Sequence, residues 1–180
     1  LLTLFALIVI LVYIVMATQF ESLKYPFIIM FTIPFAFTGV FLALWMTSTP
    51  LSLIALIGAI MLVGIVTKNG IVMVDYMNLL IERGSEVFDA VIAGGKSRLR
   101  PVLMTSFTTV LGMLPLALGT GSGSETWQPM GIAVIGGLTF STILTLFIVP
   151  VLYSILVNRS MRKAREKAAR AEQRLETNNR

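Results

Sequence analysis

Apolar residues run along this chain in long unbroken blocks, and polar residues collect in the short stretches between them. Five blocks are apparent, at about 1–17, 27–46, 51–80, 101–118 and 129–157. Each approaches or exceeds the ~20 residues that cross a bilayer as a helix. The third and fifth are longer, so they extend past the bilayer or tilt within it. The intervening stretches carry helix breakers. Tyr25-Pro26 restarts the chain after Gln19-Phe20-Glu21-Ser22, and Thr47-Ser48-Thr49-Pro50 separates the second block from the third. A flexible Gly119-Thr120-Gly121-Ser122-Gly123-Ser124 run precedes the fifth. The pattern predicts an all-α membrane protein, a five-helix transmembrane bundle. A tail at 158–180, rich in Ala, Arg, Lys and Glu, reads as a solvated helix or a partly disordered extension, with Glu166 and Arg170 at i,i+4 supporting helix.

Composition agrees with this reading. Fifty-six per cent of residues are hydrophobic and the mean hydropathy is +0.88, too apolar for a soluble domain of this size. The net charge of +5 does not indicate nucleic acid, because eight of the fourteen Lys and Arg residues lie in the last 22 positions. Every other basic residue except Lys68 falls at 18–25 or 81–100, while the connectors at 47–50 and 119–128 hold none. Five alternating helices put all the basic segments on one side. The positive-inside rule makes that side, and the C-terminus, cytoplasmic. The tail then sets topology, with anionic lipid as a second use. Without Cys or His, disulfides, thiolate nucleophiles, His-ligated metals and His–Ser catalysis are excluded. No nucleotide-binding loop or nucleophile–base set is present, so no enzyme and no cofactor are expected. The chain begins Leu1-Leu2-Thr3-Leu4, without Met or a basic leader, which reads as a piece of a longer protein.

Candidate chemistry centres on Lys68, the only charge between Tyr25 and Asp75. An ionisable residue inside an apolar helix costs roughly 2.5–3.5 kcal/mol on insertion scales and marks a functional site by default. Seventeen residues from Leu51 and twelve from Leu80, it lies beyond the ~6 Å reach of a snorkelling lysine. It either pairs with backbone carbonyls and water or needs a carboxylate on another helix. Asp75, at i+7, is ~10 Å along the axis. It fits a water-linked relay, or else an interfacial charge. Asn69 adjoins Lys68 and can bond across helices, and Asn78 lies further along. Gly58, Gly64 and Gly70 read as packing positions. At the start of the fourth block Pro101 fits a first helical turn. Arg98 and Thr105 share a face, which makes Thr105 a candidate for a polar path, while Ser106 and Thr108 are assigned to back-bonding and packing. Gly131, Gly136 and Gly137 predict tight packing in the fifth block, and Pro150 a kink or an end.

Three runs carry a family resemblance: Gly64-Ile65-Val66-Thr67-Lys68-Asn69-Gly70-Ile71-Val72-Met73-Val74-Asp75, Arg98-Leu99-Arg100-Pro101-Val102-Leu103-Met104-Thr105-Ser106, and Gln128-Pro129-Met130-Gly131 through Gly136-Gly137 to Val149-Pro150-Val151. In order and spacing they resemble the last five membrane helices, eight to twelve, of resistance-nodulation-division (RND) efflux transporters of the hydrophobe/amphiphile branch. The resemblance covers nearly the whole chain. It implies half of a pseudo-symmetric membrane domain in a proton-driven multidrug exporter of the bacterial inner membrane, powered by the proton motive force. It implies that Lys68 pairs with two aspartates on a helix of the N-terminal half, with Asn69, Thr105 and Arg98 completing the relay. It further implies a porter domain that binds drugs outside the membrane, a homotrimer, a periplasmic adaptor and an outer-membrane channel. The family's heavy-metal branch uses a different charged set, so the Lys68-Asn69 pair favours drugs, detergents or lipids over metal ions. The alternatives are a membrane assembly subunit, or a lipid- or protein-export component with the same fold.

Overall fold

The computed structural model describes the backbone of residues 2–121 and 123–178, and side chains at 3, 5–121 and 123–158. Among the described residues the protein is helical, with no strand. In chain order the helices are α1 (Leu2–Phe20), α2 (Lys24–Met30), α3 (Ile33–Met46), α4 (Leu53–Glu82), α5 (Val87–Ala117) and α6 (Gln128–Asn178). Together α2 and α3 make one apolar span, Lys24–Met46, and α4, α5 and the Gln128–Asn158 part of α6 are also long and apolar enough to cross a membrane. The Phe5–Phe20 part of α1 is apolar but shorter.

The second span is interrupted where the sequence alone shows a continuous block. Pro34 has no N–H to give the preceding turn, so the helix opens at Phe31 and Thr32. The buried Thr32 hydroxyl then donates to the Ile29 carbonyl at 2.6 Å. At the start of α4 the Ser52 hydroxyl accepts from the Ala55 N–H at 3.1 Å, a side-chain cap two residues after Pro50. The largest departure is α5. It begins at Val87, well ahead of the Pro101 start expected, and carries both Pro101 and Pro115 inside it. A proline costs a helix one N–H bond and some strain but does not end it when packing holds both sides. Here Ala90 and Gly94 are buried on one side of Pro101, and Val102 and Ser106 on the other. Likewise α6 passes through Pro150 without ending, and its backbone stays helical to Asn178. The side chains of 159–178, the Glu166–Arg170 pair among them, lie outside the described residues, as do residues 179 and 180.

α6 is the centre of the bundle. An added Cβ at Gly39 would stand 2.5 Å from Phe140 Cβ and 2.8 Å from the Gly136 carbonyl oxygen, so α3 and α6 touch backbone to backbone. Gly131 lies equally close to Ala117 of α5, where the same test gives 2.7 Å to the backbone nitrogen. Small residues permit such approaches, and dispersion then replaces the hydrophobic effect as the force between helices in lipid. One buried cluster joins Val40, Leu44, Ala59, Leu62 and Leu138, and a second joins Met16, Ile29, Met73, Met77 and Tyr153. Neighbouring crossings run in opposite directions, as the pairs Gly131–Ala117 and Thr142–Ser106 show for α5 and α6. Lys24, Arg83, Lys96, Arg98 and Arg100 therefore fall at one end of the bundle, the basic end, and the connectors without Lys or Arg at the other. The outer surface is apolar, with Phe41, Trp45, Phe107 and Phe147 all more than half exposed. This surface and the long apolar helices make the chain a multi-pass membrane protein.

Candidate functional site

Helix α4 has two different sides. Gly58, Ala59, Leu62, Val66, Gly70, Met73 and Met77 are buried in the bundle. Ile57, Met61, Gly64, Lys68, Asp75 and Leu79, three, four or seven residues apart, form an exposed stripe. Lys68 thus points away from the core of its own chain. Among the described residues it makes no hydrogen bond and no ion pair. The glycines of this helix also divide by side. A Cβ at Gly58 would meet Met130 Cγ at 2.9 Å, and one at Gly70 would meet Ile29 Cγ2 at 2.9 Å, as packing positions should. At Gly64, one turn from Lys68, it would meet nothing within 4 Å. Gly64 therefore packs against nothing within this chain and leaves room on the open side beside the lysine.

Helix α5 contributes a second open stripe. Arg98 is half-buried, and Pro101, Thr105, Thr108 and Gly112 follow it on one exposed face. This is the side on which α5 meets α4, since a Cβ at Gly94 would stand 2.6 Å from Met77 Cγ and the Arg98 guanidinium lies 4.7 Å from the Tyr76 ring centroid. That stacking is a cation–π contact. The Arg98 Nε is buried without a hydrogen-bond partner. The Thr105 hydroxyl donates to the Val102 carbonyl at 3.0 Å, and the Thr108 hydroxyl to Met104 at 2.8 Å. Ser106 lies on the other side of the helix, where its hydroxyl is 2.9 Å from that of Thr142, a buried link between α5 and α6.

The two contacts between α4 and α5 fix relative depth. Counting from Met77–Gly94 and from Tyr76–Arg98 along antiparallel helices, Arg100 is level with 71–74 on α4. Thr105 is level with 66–69, the depth of Lys68 and Asn69. Asp75 stands level with 96–99, within the band of cations on α5. Lys68 lies about 5–9 Å inside the level of Arg100, at ~1.5 Å per residue. This is shallower than its place within α4 implies, because α4 overshoots the point where α5 acquires its charges. Lys68 and Thr105 thus share one depth, and Asp75 and Arg98 another nearer the basic end, with no hydrogen bond joining any two of the four. Asn69 is half-buried.

Sequence reasoning missed one polar contact. The Tyr153 hydroxyl donates to Asn78 Oδ1 across α6 and α4, and the Tyr153 ring stacks on Tyr25 at 5.8 Å and 19°. A mid-helix Asn and a Tyr in an apolar run were the available signals, but their pairing over 75 positions was not.

With this geometry in view, comparison with known proteins is decisive. Residues 1–157 match the AcrB/AcrD/AcrF family. The chain belongs to that family. Similar relatives include the multidrug resistance protein MdtC of Erwinia tasmaniensis, 46% identical over 143 residues, which is 79% of this chain and 14% of the relative. The cobalt-zinc-cadmium resistance protein CzcA of Cupriavidus metallidurans is 42% identical over 145 residues, 81% of this chain and 14% of that one. Among solved structures, an X-ray structure of a heavy metal efflux pump superposes with a TM-score of 0.75 at 33% identity, covering 83% of this chain and 14% of the pump. The chain thus spans about one seventh of the length of its AcrB/AcrD/AcrF relatives. Its fold is that of a fragment of an RND transporter membrane domain, and its relatives include multidrug and metal resistance proteins and a heavy metal efflux pump.

Proposed function

We propose that this chain is the C-terminal membrane part, helices eight to twelve, of a proton-driven multidrug exporter, and that Lys68 supplies the cationic half of an intramembrane proton relay. The observation that carries this reading is the unpaired Lys68 on an open stripe, with space beside it at Gly64. A cation held in that position is stabilised by a carboxylate from outside the chain, and the paired aspartates of an N-terminal half would supply one. Lysine and carboxylates then titrate as one unit. When an aspartate takes up a proton its hold on the ammonium weakens, and Lys68 and Thr105, at one depth, change partners. Asp75 and Arg98 stand toward the basic end, where protons would enter or leave on the cytoplasmic side. Asn69 holds its neighbour in place. The porter domain, the trimer, the periplasmic adaptor and the outer-membrane channel belong to the same proposal, as do an inner-membrane location and a cytoplasmic C-terminus.

Metal export is the second reading, favoured by the similarity to CzcA and to the heavy metal pump. The Lys68-Asn69 pair favours drugs. Both readings are tested in vesicles made from the full-length transporter and its Lys68→Met variant at matched protein levels, with proton-coupled efflux measured for a cationic dye and for cobalt, zinc and cadmium. Dye efflux that is lost in Lys68→Met while insertion is normal supports the proposal. Coupled efflux that survives the substitution refutes it, and metal-only transport selects the second reading.

A further inference from the structure

The side of α5 turned away from Thr105 has a different chemistry. Lys96 and Arg100 are four residues apart, and Leu103, Phe107, Leu111 and Leu114 continue the same face at intervals of three and four. All six are exposed, Phe107 by 69%. Among the described residues neither Lys96 nor Arg100 has a hydrogen bond or an ion pair. From Leu103 to Leu114 the face presents no polar side chain, whereas the opposite open face presents Thr105 and Thr108. A companion helix bearing relay carboxylates would suit the hydroxyl face. The apolar face asks for hydrocarbon, with an anion at one end only.

We propose that Lys96 and Arg100 bind the phosphodiester headgroup of an anionic phospholipid whose acyl chains lie along Leu103, Phe107 and Leu111. Dimensions agree. Leu111 is eleven residues beyond Arg100, ~16 Å at the helical rise, and one leaflet contributes half of a hydrocarbon core of ~30 Å. The charges agree too, because two uncommitted cations at headgroup level select an anion over a zwitterion. Each enriches a singly charged lipid by about fivefold at most, and salt screening reduces the combined effect. The inference does not rest on the exporter reading. It needs only that the chain spans a bilayer with Arg100 at headgroup level.

The test uses the full-length transporter with benzoylphenylalanine in place of Phe107, in phosphatidylcholine vesicles containing a minority of phosphatidylglycerol. Photo-adducts at that position are identified by mass spectrometry. Phosphatidylglycerol adducts should exceed their bulk share by about fivefold. Lys96→Gln with Arg100→Gln should return them to the bulk share, while Lys96→Arg with Arg100→Lys keeps the enrichment and Arg83→Gln, remote from the face, leaves it unchanged. Adducts at the bulk share before any charge is removed would overturn the proposal, as would enrichment that survives the double substitution. Adducts mainly to peptide would overturn it as well, since they would show that protein covers the face.

Discussion

Gly39→Ala and Gly64→Ala replace the same atom on two apolar helices, and only the first should lower stability. At Gly39 the new methyl would lie 2.5 Å from Phe140 Cβ, 2.8 Å from the Gly136 carbonyl oxygen and 3.1 Å from Gly137 Cα. Ordinary carbon contacts need about 3.5–4.0 Å, so α3 and α6 would have to separate by about 1 Å. Two of the three obstructing atoms are backbone, which no rotamer change removes. Overpacking of this kind costs about 1–3 kcal/mol. At Gly64 a methyl meets nothing within 4 Å, and Ala is better than Gly in a helix by up to ~1 kcal/mol. The assay is reversible unfolding of this chain in mixed micelles as the denaturing detergent fraction rises. Gly39→Ala should lower the midpoint, and Gly64→Ala should leave it unchanged or raise it. If both fall alike, Gly64 is packed within this chain and the reading of α4 as open beside Lys68 is wrong.

Other expectations concern the buried polar contacts and the relay. Removing the Ser106–Thr142 link by Ser106→Ala and Thr142→Val should reveal a coupling of about 0.6 kcal/mol in a double-mutant cycle, the average for bonds between membrane helices. Tyr153→Phe keeps the stacking on Tyr25 but strands Asn78 Oδ1, for a loss of about 1–2 kcal/mol; Tyr153→Ala should cost about 3–5 kcal/mol, both read by the same unfolding titration. In vesicles from the full-length transporter Thr105→Ala should reduce proton-coupled efflux less than Lys68→Met does. Arg98→Ala should slow proton uptake without lowering the amount of inserted protein.

Much of the bundle was legible because lipid as a solvent leaves few alternatives. A chain buried in hydrocarbon must satisfy its own backbone, so long apolar blocks become helices, and Thr49-Pro50 and the Gly119–Ser124 run divide them where expected. The start of α5 was not legible. Arg98-Leu99-Arg100-Pro101 has the composition of a helix entrance, but packing of Gly94 against Met77 carries the helix through it. Depth was hidden for a related reason. Counting within α4 alone puts Lys68 far from either end, whereas the contact of Arg98 with Tyr76 shows how much of α4 lies beyond the first charges of its neighbour. Nor did sequence separate Gly58 and Gly70 from Gly64, since that difference depends on which neighbour each one meets.

Packing and chemistry occupy opposite sides of α4, and this constrains how a relay can be built. Had Lys68 faced Met73 and Val66, its charge would have been sealed in a small-residue core with α6, where any change of partner would disturb backbone contacts. On the exposed stripe a change of charge leaves those contacts intact. The buried side holds α4 against α2, α5 and α6, and the open side meets whatever lies across from it. In the proposed relay a proton arriving beside Lys68 would therefore act first on the face that this bundle leaves open and only secondarily on its core. Interfaces have discrete alternative packings where close-packed cores do not deform continuously. The expected response to protonation is a shift of this bundle as a unit against its neighbour. A cross-link between α5 and α6 at Ser106 and Thr142, whose hydroxyls lie 2.9 Å apart, should then leave proton-coupled transport intact, and a cross-link from the position of Gly64 to the opposing helix should stop it.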